Sequence, residues 1–355
     1  MEVATEAETQ VVIERRGGAG IIHLNRPKAI NSLTLPMVRA MLQALHRFED
    51  DPDVSCVVLT GEGDRGLCAG GDVRIIHDLG KAGDPQVLDF WREEFPLNYH
   101  IARFGKPYVA LMDGIVMGGG VGISAHASHR IVTERTKLAM PETGIGYFPD
   151  VGATWLLPRT PGESGTWMAL TGLDINASDA IYTGLADVYM SSSRLEEAVH
   201  RLTNLSAGSS SDDVDAVLRD LSEQVDEGRL QANAAMIDRA FHFNRVEDIA
   251  SALAAEEGEF AAETRRVMLT RSPTSLKLAL RLLRAGRQSR TLGECLAREL
   301  GACMHVLHGP DFYEGVRAAV IDKDRNPKWS PPTIALVNDE MIGRFFESPK
   351  PPLSL

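Results

Sequence analysis

Cysteine is scarce: four of 355 residues, Cys56, Cys68, Cys295 and Cys303. None forms a C-x-x-C pair, and the spacing suits neither a zinc site nor a disulfide framework, so reduced thiols in a cytoplasmic protein are expected. No apolar run approaches the roughly 18 residues needed to span a membrane. Positive charge is in deficit, with 37 Lys and Arg against 49 Asp and Glu and a net charge of -12. That argues against a chain devoted to nucleic acid or to an anionic membrane surface. An anionic ligand is still allowed, because a phosphate needs only a local cluster of Lys and Arg. Residues 1–10 are acidic and polar, unlike a secretory signal. Ser124 and Ser191 lack a G-x-S-x-G context, which argues against a serine hydrolase triad. The ten histidines show no metal-ligand spacing.

What is present reads as an α/β protein. Val11-Val12-Ile13-Glu14 and Ile21-Ile22-His23-Leu24 flank Gly17-Gly18 and predict a hairpin. Thr34 is placed to cap a helix whose Val38, Met41, Leu42, Leu45 and Phe48 share one face. Buried strands are expected over 54–60, 107–112, 130–133 and 138–140, alternating with helices. After Gly152 helical segments follow one another. Residues 205–213, small and polar, are the best linker candidate, and the proline-rich last thirty or so residues predict an extended tail. The expected organisation is a core over 1–203 and a helical region with a tail over 204–355.

Two glycine-rich turns follow predicted strands: Leu67-Cys68-Ala69-Gly70-Gly71-Asp72 and Met117-Gly118-Gly119-Gly120-Val121-Gly122. Glycine permits close backbone approach, and a helix opening in the second turn would leave N–H groups free. Two such groups converging on one oxygen make an oxyanion hole. Each turn read alone is equally a tight strand-to-helix connection. A dinucleotide fingerprint fails, since Ile123 stands where its third glycine would be. Three carboxylates stand out: Glu142 after Pro141, Asp150 eight residues later, and Glu94 among aromatics. Carboxylates in apolar surroundings have raised pKa values that suit acid/base work. Asp150 alone is also a candidate cap for a helix starting near Val151.

Several runs resemble the crotonase (enoyl-CoA hydratase/isomerase) superfamily. His23-Leu24-Asn25-Arg26-Pro27-Lys28-Ala29-Ile30-Asn31-Ser32-Leu33 is similar to the segment lining the coenzyme A adenine pocket. The two glycine-rich turns resemble the family's oxyanion loops, and Asp311-Phe312-Tyr313-Glu314-Gly315-Val316-Arg317-Ala318 resembles its C-terminal CoA-contacting helix. Hydratases of the family carry two catalytic glutamates; here one position holds Gly122 and the other Glu142. Trp91-Arg92-Glu93-Glu94-Phe95, the segment from Gly146 to Gly152, and Ile321-Asp322-Lys323-Asp324 resemble the 3-hydroxyisobutyryl-CoA hydrolase branch.

The resemblance implies the crotonase (ClpP-like) spiral of ββα units followed by a helical C-terminal region. It implies hydrolysis of 3-hydroxyisobutyryl-CoA to free acid and coenzyme A, as in valine catabolism. The alternatives are an enoyl-CoA hydratase or isomerase using Asp150 as second acid, a hydrolase of another acyl-CoA, and a non-catalytic homologue binding CoA or RNA. Gly71 and Gly119 would hold the thioester oxygen, Glu142 would act as base or nucleophile, and Asp150 and Glu94 would bind the hydroxyl or order water. Lys28, Ala29, Ile30 and Lys323 would contact CoA. His126 and His129 fall where the family has structural elements, so no metal is implied. Nor is a separate cofactor, since coenzyme A is part of the substrate. The family's trimers suggest a homo-oligomer.

Overall fold

The computed structural model describes residues 10–355, so the acidic stretch at 1–10 lies outside them except for Gln10. The hairpin forms as expected. Val11–Arg16 and Ala19–Leu24 pair antiparallel, with Val11 opposite Leu24. Beyond it the sheet is parallel: Ala19–Leu24, Cys56–Gly61, Tyr108–Met112, His129–Val132 and Val188–Tyr189 follow in spatial order, making six strands in all. Parallel neighbours need crossovers, and the intervening helices supply them. Strands buried on both faces read as continuous apolar runs, as Tyr108–Met112 does along its whole length.

The Leu35–Asp50 helix starts where Thr34 Oγ1 accepts from Met37 N. Its buried face carries Met37, Val38, Met41, Leu45 and Phe48. Each such side chain contributes about 1.5–3 kcal/mol by leaving water. On the sheet, Val58, Val109 and Ile131 pack with Leu202 and Leu218 from two later helices.

The linker expected at 205–213 needs correction at its end. Ser210 and Asp213 form a reciprocal capping box that starts the Ser211–Leu221 helix. Serine and aspartate favour loops and helix caps for one reason, the local hydrogen bonding of their side chains, so composition does not separate the two.

Two compact units result, each assembled from three stretches. One is the described part of Met1–Gly71 with Pro96–Leu138 and Ile175–Gly228; the other is Asp72–Phe95, Ala139–Asp174 and Arg229–Leu355. The second unit is helical, built on Pro273–Gln288 and Leu292–Val306. Its proline-rich end is extended in part, and also holds a short helix, Asp339–Gly343, capped by Asn338. The tail is tied down by Trp329 Nε1 donating to Thr270 O at 2.9 Å and Lys277 Nζ to Val337 O at 2.7 Å.

Candidate active site

In the first unit the two glycine-rich turns lie side by side. Cys68 N donates to Ile115 O, and Met117 N donates to Cys68 O. A Cβ on Gly120 would fall 2.4 Å from Cys68 O, so only glycine allows this approach. Gly70 has φ +109, and a Cβ there would lie 3.6 Å from Gly119 N. Among the described residues the backbone amides of Gly71 and Gly119 donate to no carbonyl. The helix opening at Gly119 is a single turn, Gly119–Gly122. Its dipole is correspondingly small, and the individual N–H groups carry the electrostatics.

The run holding Lys28, Ala29 and Ile30 forms a tight turn in the same unit. Pro27–Ala29 is a 3-10 turn, and Ile30 and Asn31 both have positive φ. Buried Asn31 stabilises it, accepting from Arg26 N and donating to Glu62 O and Gly66 O. Ala69 N donates to Ile30 O and Leu33 N to Gly70 O, so this turn is joined directly to the first glycine loop.

The carboxylates occupy the second unit. Glu142 opens a 3-10 turn directly after Pro141. Glu94 sits on the Val87–Ile101 helix and Asp150 in an irregular turn. All three are buried, with Glu94 only 2% exposed. Burial raises the pKa of each, and the charge of Asp150 raises Glu94 and Glu142 further. Asp150 is pushed up to about 8 by burial and then by Glu299, although Tyr147 Oη donates to Asp150 Oδ2 at 2.9 Å. Glu94 Oε1 and Glu142 Oε2 have no hydrogen-bond partner among the described residues. A buried unpaired carboxylate oxygen is costly, which marks a place where a ligand or water is to be met.

Asp150 is not a helix cap. Its carboxylate takes the Tyr147 hydroxyl, and Gly152 precedes the short helix Ala153–Leu156. Val151 is held at φ +52, a strained conformation for a β-branched residue. Glu299 holds this turn: it accepts from Gly152 N at 2.8 Å, Thr154 N at 3.0 Å and Thr154 Oγ1. Tyr147 stacks on Trp91 and lies 2.8 Å from Cys303 Sγ. Glu299 and Cys303 received no role from the sequence, and Tyr147 was noted only within a segment. A glutamate in an Ala- and Leu-rich helical run looks solvated, and only its burial at 0% exposure singles Glu299 out. Lys323 also belongs to the second unit, with φ +58, beside Asp322 and Asp324, which both pair with Arg317.

The model of the family described as enoyl-CoA hydratase/isomerase matches residues 19–346. A Mus musculus protein named 3-hydroxyisobutyryl-CoA hydrolase, mitochondrial, is 42% identical over 353 residues, 98% of this chain and 91% of that protein. The Danio rerio protein of the same name is 41% identical over 351 residues, again covering 98% and 91%. Among solved structures the chain is similar to a carnitinyl-CoA dehydratase from Mycobacterium thermoresistibile, with TM-score 0.92, 41% identity and 97% and 98% of the two chains covered. It is also similar to an enoyl-CoA hydratase from Rhodobacter sphaeroides 2.4.1, with TM-score 0.89, 37% identity and 98% and 100% covered. The expected cytoplasmic location is overturned, because these vertebrate relatives are named as mitochondrial. Reduced thiols do not distinguish one reducing compartment from another.

Proposed function

The chain belongs to the enoyl-CoA hydratase/isomerase family and has its crotonase α/β fold, and from that premise we propose that it hydrolyses 3-hydroxyisobutyryl-CoA to 3-hydroxyisobutyrate and coenzyme A. Relatives at about 40% identity over nearly the whole chain carry that activity in their names. The observation that carries the reading is the pairing of a buried, unpartnered Glu142 Oε2 with glycine at position 122. Hydration across a double bond calls for two acid/base groups, and the second familial glutamate is missing. Thioester hydrolysis calls for one.

In this reading the ionised Glu142 takes a proton from water as the water oxygen bonds to the thioester carbon. The Gly71 and Gly119 amides hold the carbonyl oxygen as it becomes negative; such a donor is typically worth about 2.7–4 kcal/mol. The C–S bond then breaks, and the thiolate receives the proton from Glu142. Alternatively, a Glu142 oxygen attacks first, releasing coenzyme A and leaving a mixed anhydride that water cleaves. Asp150, protonated at neutral pH by its raised pKa, both donates to and accepts from the substrate hydroxyl, with Glu94 beside it ordering water. Lys28, Ala29, Ile30 and Lys323 bind the CoA portion. Coenzyme A enters as part of the substrate, and the substrate suits a place in valine catabolism.

A second reading is supported by the dehydratase and hydratase names of the similar structures and by a proton-bearing Asp150 that could serve as second acid. Thiol release from 3-hydroxyisobutyryl-CoA, measured beside hydration of crotonyl-CoA, separates the two. Hydrolysis without hydration supports the hydrolase; hydration without thiol release overturns it. Asp150→Asn should slow hydroxylated substrates more than isobutyryl-CoA, because a hydrogen-bonding site discriminates only where the partner group exists.

A further inference from the structure

His46 and Glu49 stand three residues apart on the Leu35–Asp50 helix, and so on one face of it. His100 comes to them from the end of the Val87–Ile101 helix, with its ring centroid 4.5 Å from that of His46. One ligand atom from each of the three side chains lies within 4.8 Å of the other two. His100 Nε2 is buried and lies 3.5 Å from Glu49 Oε2, yet it makes no aligned hydrogen bond there or elsewhere among the described residues. The other carboxylate oxygen, Glu49 Oε1, accepts from Gly105 N at 3.1 Å, which fixes the carboxylate's orientation. Phe104 packs edge-on against the His100 ring. Lys106, the nearby cation, is engaged elsewhere, with its amine on Phe48 O and Asp51 O.

We propose that His46, Glu49 and His100 bind a divalent transition-metal ion of the Zn2+ class, with water completing the coordination. Two imidazoles and a carboxylate are the borderline donor set such ions select. Donors about 2.0–2.2 Å from a tetrahedral ion lie roughly 3.4 Å apart. His100 Nε2 and Glu49 Oε2 already match that separation, and the exposed His46 ring stands against that of His100. The Gly105 amide acts as the outer hydrogen bond that holds a ligating carboxylate in place. Such an ion would clip the end of one helix to the end of another. Its ligands belong to the first unit, and none of them is a residue assigned to hydrolysis, so the proposal stands or falls independently of the activity.

The test uses the full-length protein, stripped with EDTA and titrated with ZnCl2 by calorimetry, with Co2+ absorption as a second readout. One saturable site with visible Co2+ ligand-field bands of a low-coordinate site is expected. Each of His46→Gln, Glu49→Gln and His100→Ala should weaken it by about tenfold or more, whereas His242→Ala leaves it unchanged. His46 is exposed, so His46→Gln tests the site even if His100→Ala folds poorly. No saturable binding, or equal binding by wild type and His46→Gln, overturns the proposal.

Discussion

The two units supply polar chemistry by opposite means. In the first, the proposed functional atoms are main-chain amides, in loops held together by glycines whose lack of a side chain lets Cys68 O and Gly120 approach. Those amides do not titrate. In the second, the proposed functional atoms are carboxylates withdrawn from water, raised in pKa and partly unpaired. They cost stability and respond to pH. Backbone donors can be built by packing alone; buried acids need a surrounding network, here Tyr147, Cys303 and Glu299.

The largest effect that could break this contrast is on Glu142. Glu142→Gln should reduce single-turnover hydrolysis by about 10³-fold, since it keeps shape and loses basicity, while CoA-ester binding changes little. Retention of most of the activity would remove the second unit's central role. For the first unit the counterpart is Gly120→Ala. Its methyl meets Cys68 O, and overpacking of this kind costs about 1–3 kcal/mol. Urea denaturation should show that loss together with a fall in kcat, and unchanged stability would mean the glycine is not required by the approach.

Glu299→Gln sharpens the comparison. Removing the Glu299 charge should lower the Asp150 pKa, because Glu299 is the main charged contributor to its rise. Gln also turns an N–H toward donors, leaving a buried bond unmade at about 1–3 kcal/mol. A kcat loss of about tenfold is expected, with the Asp150-dependent limb of the pH–rate profile moved to lower pH. An unmoved limb with the same kcat loss would make the residue purely structural.

Stability against pH separates the units more gently. Asp150 binds its proton more tightly folded than unfolded, about 8 against 3.8. The stability this contributes is complete below pH 3.8 and is lost as pH rises toward 8. Asp150→Asn does not titrate, so its Tm relative to wild type should be higher by about 2 °C or more at pH 8 than at pH 5. Constant Tm differences across that range would sink the assignment of a buried, proton-binding Asp150. The smallest effect expected is on Lys323→Ala, which should raise KM for CoA esters about three- to tenfold with kcat nearly unchanged, because it removes binding remote from the chemistry. An unchanged KM would take Lys323 out of the CoA site.

Much of the candidate site was legible because local rules write it. The hairpin, the Thr34 cap and the apolar face ending at Phe48 follow from turn chemistry and periodicity, and both glycine loops from glycine's conformational freedom. Glu142 and Asp150 stood out by their sequence neighbours, and the structure buries both. Less legible was anything carried by distant pairs. Ser210 looked like linker, since a cap and a loop use the same side-chain hydrogen bond. Glu299 lies more than a hundred residues from the Gly152 and Thr154 amides it holds. His100 joins His46 and Glu49 with no spacing that a motif could capture.

Residue order by itself therefore determined which backbone positions turn, which faces bury and which carboxylates stand beside prolines and glycines, since these depend on φ/ψ preference and short-range periodicity. Only the tertiary structure decided which of those acids lose water, which find partners and which remain unpaired. Desolvation and coulombic coupling depend on what packs around a group, and in the second unit that surrounding is drawn from three stretches far apart in the chain.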